Sequence, residues 1–273
     1  MPQAKRGKPT KTKPSRISSA RRASAKKLAA PALKAEVAAA LAWLEKQGSQ
    51  RIVDDMAPRY GIHAKKAFGV SVGSLRQHAK RLGPSHELAA ALWQSGWYEA
   101  RLLATFLDDP ARVTPAQMES WCQDFDNWAI CDTACFHLFD RTPHALAKVE
   151  AWAKRRPEFV KRAAFALLAS MALHGRGADD AALARSLLLI ENAAEDERNF
   201  VKKAVSWALR AVGRRSAELN AKAVLVAQRL AGSAEAAPRW VGKDALRELT
   251  SSAVLTRLTK EQSKVKPRSK KAR

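Results

Sequence analysis

Phe159-Val160-Lys161-Arg162-Ala163 recurs 41 residues further on as Phe200-Val201-Lys202-Lys203-Ala204. That offset lies within the roughly 40–47 residues that one helical pair occupies in solenoids built of paired helices. In such a stack each pair buries its apolar face only against its neighbours, which produces a curved superhelix with a concave surface. The repeat therefore predicts an all-α solenoid. Composition agrees: 47% of the 273 residues are hydrophobic, and Ala and Leu dominate that set, which favours helix over strand.

Extended in both directions, the pattern is a train of helices with short breaks. Val37, Leu41 and Leu44 stand at helical spacing. A second helix is expected through Ile52, Met56 and Tyr60, broken at Gly61. Ser71 is a candidate cap for a helix carrying Leu75 and Ala79, and Gly83-Pro84-Ser85 ends that element and caps the next. Trp97–Leu107 stops at Asp108-Asp109-Pro110, and Thr114-Pro115 opens another helix with threonine at N-cap and proline at N1. Asn127–Phe139, His144–Lys154, Pro157–Leu173, Ala178–Ile190, Glu195–Val212 and Ser216–Leu230 follow. No segment alternates with period two, so no sheet is expected. The pattern points to a HEAT-like helical-repeat domain over residues 33–258, between disordered basic segments at 1–32 and 259–273.

The formal charge of +23 is unevenly spread. Residues 1–34 hold eleven Lys/Arg and no acid, and residues 260–273 hold seven against Glu261 alone. The two ends thus carry most of the excess, and the body between them is only mildly basic. Such charge suits a polyanion, because each neutralised phosphate releases condensed counterions; the plain alternative is a solvated tail that aids solubility. No apolar run is long enough for a membrane span, and the basic N-terminus lacks the apolar stretch of a secretory signal. A cytoplasmic protein is expected, nucleoid-associated if bacterial. Cys122, Cys131 and Cys135 are odd in number, which fits a reducing compartment. With His137 they invite a zinc reading, but their spacing matches no common finger or ribbon, and small buried core residues are the better reading. No metal and no cofactor are expected.

Few residues carry candidate chemistry. Trp128 and Asp132 stand four apart, hence on one helix face, where an indole beside a carboxylate can hold a cationic group. A half-buried tryptophan with an aspartate in the first turn is the plainer alternative. Arg162 beside Lys161 reads by default as part of a solvated face, and Trp207 as a core residue. No Ser/His/Asp arrangement and no glycine-rich phosphate cradle occurs.

Taken in order, Tyr98-Glu99-Ala100-Arg101, Asn127-Trp128 with Asp132, Phe159–Ala163 and Phe200–Arg210 resemble the AlkD-like DNA alkylation repair family, over roughly residues 40–230. Met56–Leu82 fits its N-terminal part, and Phe200–Arg210 is the most specific piece. The resemblance implies HEAT-like helical pairs holding duplex DNA on a basic concave face, and glycosylase activity that releases cationic N3- or N7-alkylated purines without a cofactor. It places the family's Trp-x-x-x-Asp on Trp128 and Asp132, its second tryptophan on Trp207 and its DNA-contacting arginine on Arg162; Lys161, Lys202 and Lys203 extend the DNA-binding set. The chain departs from the family pattern in reading Asn127-Trp128-Ala129 where the well-studied type has a second tryptophan before an aspartate. The implied function is excision of alkylated bases from duplex DNA by a monomer. The alternatives are a HEAT-like protein that binds duplex or branched DNA without catalysis, and a solenoid whose basic ends address RNA or an acidic partner.

Overall fold

The helix starts read from the sequence are built by their caps. Ser71, Ser85, Thr114 and Asn127 each accept a hydrogen bond from the backbone N–H three residues on, satisfying one of the donors a helix leaves open at its N-terminus. The computed structural model describes residues 30–265, and side chains as far as 261. These form α1 (Ala30–Lys46), α2 (Gln50–Tyr60), α3 (Val72–Leu82), α4 (His86–Gln94), α5 (Tyr98–Leu107), α6 (Pro115–Gln123) and α7 (Trp128–His137). After a single 3-10 turn at Phe139–Arg141 come α8 (Ala145–Trp152), α9 (Glu158–His174), α10 (Asp180–Ala193), α11 (Asn199–Gly213), α12 (Ala217–Ala231), α13 (Ala236–Leu249) and α14 (Ser252–Val265). No strand occurs among the described residues.

The helices form two layers. In one, α3, α5, α7, α9, α11 and α13 pack each on the next; α4, α6, α8, α10 and α12 back them. This is the HEAT-like solenoid that the 41-residue repeat implied. Its centre is α9, where every residue from Arg162 to Ala172 is buried, so that the repeat's first copy faces neighbours on both sides. Large rings fill the N-terminal half, where fully buried Trp93 stacks on Trp121 at 3.9 Å between centroids.

Buried Glu99 on α5 fixes the N-terminal segment. Its carboxylate accepts the backbone N–H groups of Phe68, Gly69 and Val70 at 2.9, 2.7 and 3.2 Å, which ties the loop between α2 and α3 to the inner layer. Gly69 in that loop has φ 81°, and a Cβ there would meet the Ser49 carbonyl oxygen at 2.1 Å.

Two elements go beyond the sequence pattern, which ended at Leu230. Helix α13 contains Pro238 and Gly242, residues that interrupt a helical reading. Pro238 lies in the first turn, where its missing N–H costs nothing. Gly242 is where α13 crosses α12 closely, since a Cβ there would lie 2.2 Å from the Ala231 nitrogen. Helix α14 buries Val254 and Leu258 and continues through Val265, into the stretch read as a basic tail. The remainder of that tail, and residues 1–29 of the N-terminal arm, lie outside the described residues.

Candidate functional site

Helix α7 presents Trp128, Asp132 and Phe136 at i, i+4 and i+8, one face over about 12 Å of helix. Asn127 sets this register: its side-chain oxygen caps the helix at Ile130 N, 3.0 Å, while its amide donates to Asp126. Asp132 does not stand free. Arg162 on α9 clamps it in a bidentate pair, Nε to Oδ1 at 2.9 Å and Nη2 to Oδ2 at 2.6 Å. The third arm of the guanidinium donates to the Phe200 carbonyl at 2.7 Å, and its carbon lies 6.0 Å from the centre of the Phe200 ring. One side chain thus links α7, α9 and α11.

Arg162 is therefore not part of a solvated face. Its side chain is 8% exposed and that of Asp132 is 15%. Burial pushes the Asp132 carboxyl above its usual value, and the Arg162 guanidinium opposes that shift. Because both oxygens accept guanidinium N–H groups, the geometry is that of the ionised carboxylate. Burial pulls the other way on Arg162, yet the adjoining carboxylate holds it above its ordinary value.

Trp207, half-buried on α11, stacks on Phe136 at 4.7 Å with planes 10° apart. It lines a cavity of about 330 Å³ together with Arg162, Lys203, Arg210, Arg214 and Trp240. Trp128 lies on the other side of Asp132. Its indole N–H donates to the Tyr60 carbonyl at 2.9 Å, and it lines a separate cavity of about 630 Å³ with Tyr60 and Tyr98. The structure thus joins Asp132, Arg162 and Trp207 around one group of inner helices, with Trp128 one turn away. Of the three lysines, Lys161 is paired with Asp196 at 3.0 Å, Lys202 lies 5.2 Å from the centre of the Trp240 ring, and Lys203 is exposed at the cavity. The three cysteines are buried free thiols, and no group of His, Cys, Asp or Glu among the described residues is arranged to hold a metal.

A family model described as DNA alkylation repair enzyme matches residues 40–249. The chain belongs to that family. No curated protein matches the sequence. Among solved structures, the chain is similar to one described as a new family of proteins related to the HEAT-like repeat DNA glycosylases with affinity for branched DNA structures. The two share 18% identity at a TM-score of 0.64, over 78% of this chain and 95% of the other. At that identity the likeness establishes the fold.

In this member of the family the site has neighbours that were not among the candidate site residues. Phe200 supplies both a carbonyl and a ring to Arg162. Tyr60 receives Trp128, and the adjoining Gly61 faces Phe200, whose Cζ would lie 3.9 Å from a Cβ added there. Arg210 and Arg214 both hold Glu248, at 2.7 and 3.2 Å. For Arg210 a signal existed, since it follows Trp207 by three residues and so shares its helix face. For Tyr60 there was none, because its partner is 68 residues away.

Proposed function

We propose that this DNA alkylation repair family member holds duplex DNA along its inner helices and releases cationic N3- or N7-alkylated purines by hydrolysing the N-glycosidic bond. The observation that carries this reading is a carboxylate paired with Arg162 and partly open to solvent, with the half-buried Trp128 one turn before it on α7 and the half-buried Trp207 stacked on Phe136 one turn after it. An N-alkylated purine is already a cationic leaving group and needs little general-acid help. As its bond to deoxyribose breaks, positive charge develops on the sugar. The face of Asp132 not bonded to Arg162 can stabilise that charge and orient the attacking water. Trp128 and Trp207 offer ring faces to the sugar and the cationic base. Arg210, Arg214 and Lys203 supply backbone contacts that set register without reading sequence. The step needs no cofactor, and one chain contains every residue it uses.

A second reading has its own support. Both Asp132 oxygens already accept Arg162, whose charge offsets the carboxylate, and such a site suits a protein that binds DNA without excision. The structurally similar protein is described as having affinity for branched DNA, and this chain would then recognise duplex or branched DNA. Incubation with a duplex containing N7-methylguanine separates the two. Base release above the spontaneous rate, lost in Asp132→Asn, is the expected result. Duplex binding without release overturns the enzyme reading, and release undiminished in the variant overturns the role of Asp132.

A further inference from the structure

At the opposite end of α7 from Trp128, a cavity of about 510 Å³ opens between three successive inner helices. Arg76 and Lys80 from α3 stand at its rim, and Phe106 of α5 and His137 of α7 line it together with Gly83 and Pro84. The Arg76 guanidinium lies 5.5 Å from the centre of the Phe106 ring, and Phe106 meets the His137 ring edge-on at 5.1 Å. We propose that this cavity is a subsite for one unpaired nucleotide of bound DNA, with its phosphate on Arg76 and Lys80 and its base against Phe106.

The charge balance points to an anion. Arg162 is neutralised by Asp132, and Arg210 and Arg214 share Glu248. Among the described residues no carboxylate pairs with Arg76 or Lys80. The partner of Arg76 is His137 Nε2. Burial, and then the charges of Arg76 and Arg141, hold the His137 imidazole down to about 4, so the ring is neutral at pH 7 and accepts from the guanidinium. It aims Arg76 without cancelling its charge, and the remaining guanidinium N–H groups are free for phosphate oxygens.

The lining selects what accompanies the phosphate. A duplex keeps its bases stacked inside, so it offers the cavity only backbone. A floor made of a phenyl ring and a proline suits the face of an unstacked base, a contact that tolerates any sequence. The volume falls within the few hundred to about a thousand cubic ångströms usual for ligand sites. Position links the cavity to the site above. His137 follows Asp132 by five residues, about 7.5 Å along the same inner helix, so both sites belong to the inner layer to which the proposed function assigns the DNA.

This inference rests on the reading that the inner helices bind DNA, and the experiment distinguishes the two. The full chain is titrated by fluorescence anisotropy with a short blunt duplex and with the same duplex carrying a few unpaired nucleotides at one 3′ end. Wild type should bind the extended probe more tightly. Arg76→Gln with Lys80→Gln, both at exposed positions, should cost about tenfold on the extended probe and little on the blunt one. Phe106→Leu, which keeps the apolar filling, should lower the same preference. Equal losses on both probes would mean a general backbone contact, and no loss would mean no contact; either overturns the subsite while DNA binding stands. If wild type binds neither probe, the DNA-binding reading falls and the subsite with it.

Discussion

Replacing Arg162 with methionine removes three hydrogen bonds and leaves Asp132 as an unpaired carboxylate in a site 15% exposed. Breaking a buried ion pair from one side costs about 3–5 kcal/mol, because the surviving charge keeps its desolvation penalty. The partial exposure of Asp132 places the expected loss near the lower end, about 3 kcal/mol. Arg162→Met combined with Asp132→Leu removes both charges and keeps much of the volume, and should recover most of that loss. Urea denaturation of wild type, both single variants and the double variant closes the cycle. The expected coupling is about 2 kcal/mol or more, since the side chains touch. Losses that simply add, within about 0.5 kcal/mol, would refute the claim that the two side chains act as one unit. The double variant also separates stability from function: it should be folded and fail to release alkylated purines.

Further outcomes follow from other parts of the fold. Glu99→Ala leaves three backbone N–H groups near Gly69 without their acceptor, at an expected cost of about 3 kcal/mol or more in urea denaturation. Because folding holds His137 down to about 4 from an ordinary 6.5, the unfolded chain binds the extra proton between those values. Stability should therefore fall as pH drops through that window. Solvent screening limits the His137 share to about 1–2 kcal/mol, read as the difference in pH slope between wild type and His137→Gln; identical slopes would contradict it. Removing residues 1–29, which leaves α1 whole, should weaken duplex affinity and flatten its dependence on salt, with lesion preference unchanged. Binding isotherms at several salt concentrations test that.

Much of this architecture is legible because helix punctuation is local. A serine, threonine or asparagine three residues ahead of an open N–H is written in the chain itself, and so is the 41-residue echo of Phe159–Ala163. Pro238 and Gly242 stand against a helical reading of α13: the proline is tolerated only because it falls in the first turn, and the glycine has a tertiary reason, since it lets two helices cross. The site divides in the same way. Trp128 and Asp132 share a face by simple spacing, but sequence could not tell whether Arg162 points outward. The residues that turn it inward, Asp132 and Phe200, are 30 and 38 positions away. Lys203 occupies the place in the second repeat that Arg162 holds in the first, yet one is exposed and the other buried. Equivalent positions in a repeat therefore need not share a role once only one of them has an acid facing it.

The same pair sets the pH dependence of the proposed reaction. Asp132 works as a carboxylate, so the rate of base release should rise with pH along an acid limb and then level off. Burial places that limb above the ordinary carboxylate value of 3.8, and Arg162 keeps it from moving further. Removing the guanidinium while keeping Asp132 leaves burial unopposed, so in Arg162→Met the limb should shift towards neutral pH. A residue acting only as a phosphate contact would behave differently: its loss would weaken DNA binding alike at every pH and leave the single-turnover profile where it was. Single-turnover release of N7-methylguanine, measured at saturating protein across pH, reads the two apart. An acid limb that stays in place when Arg162 is lost would mean that Asp132 is not the group whose ionisation controls release.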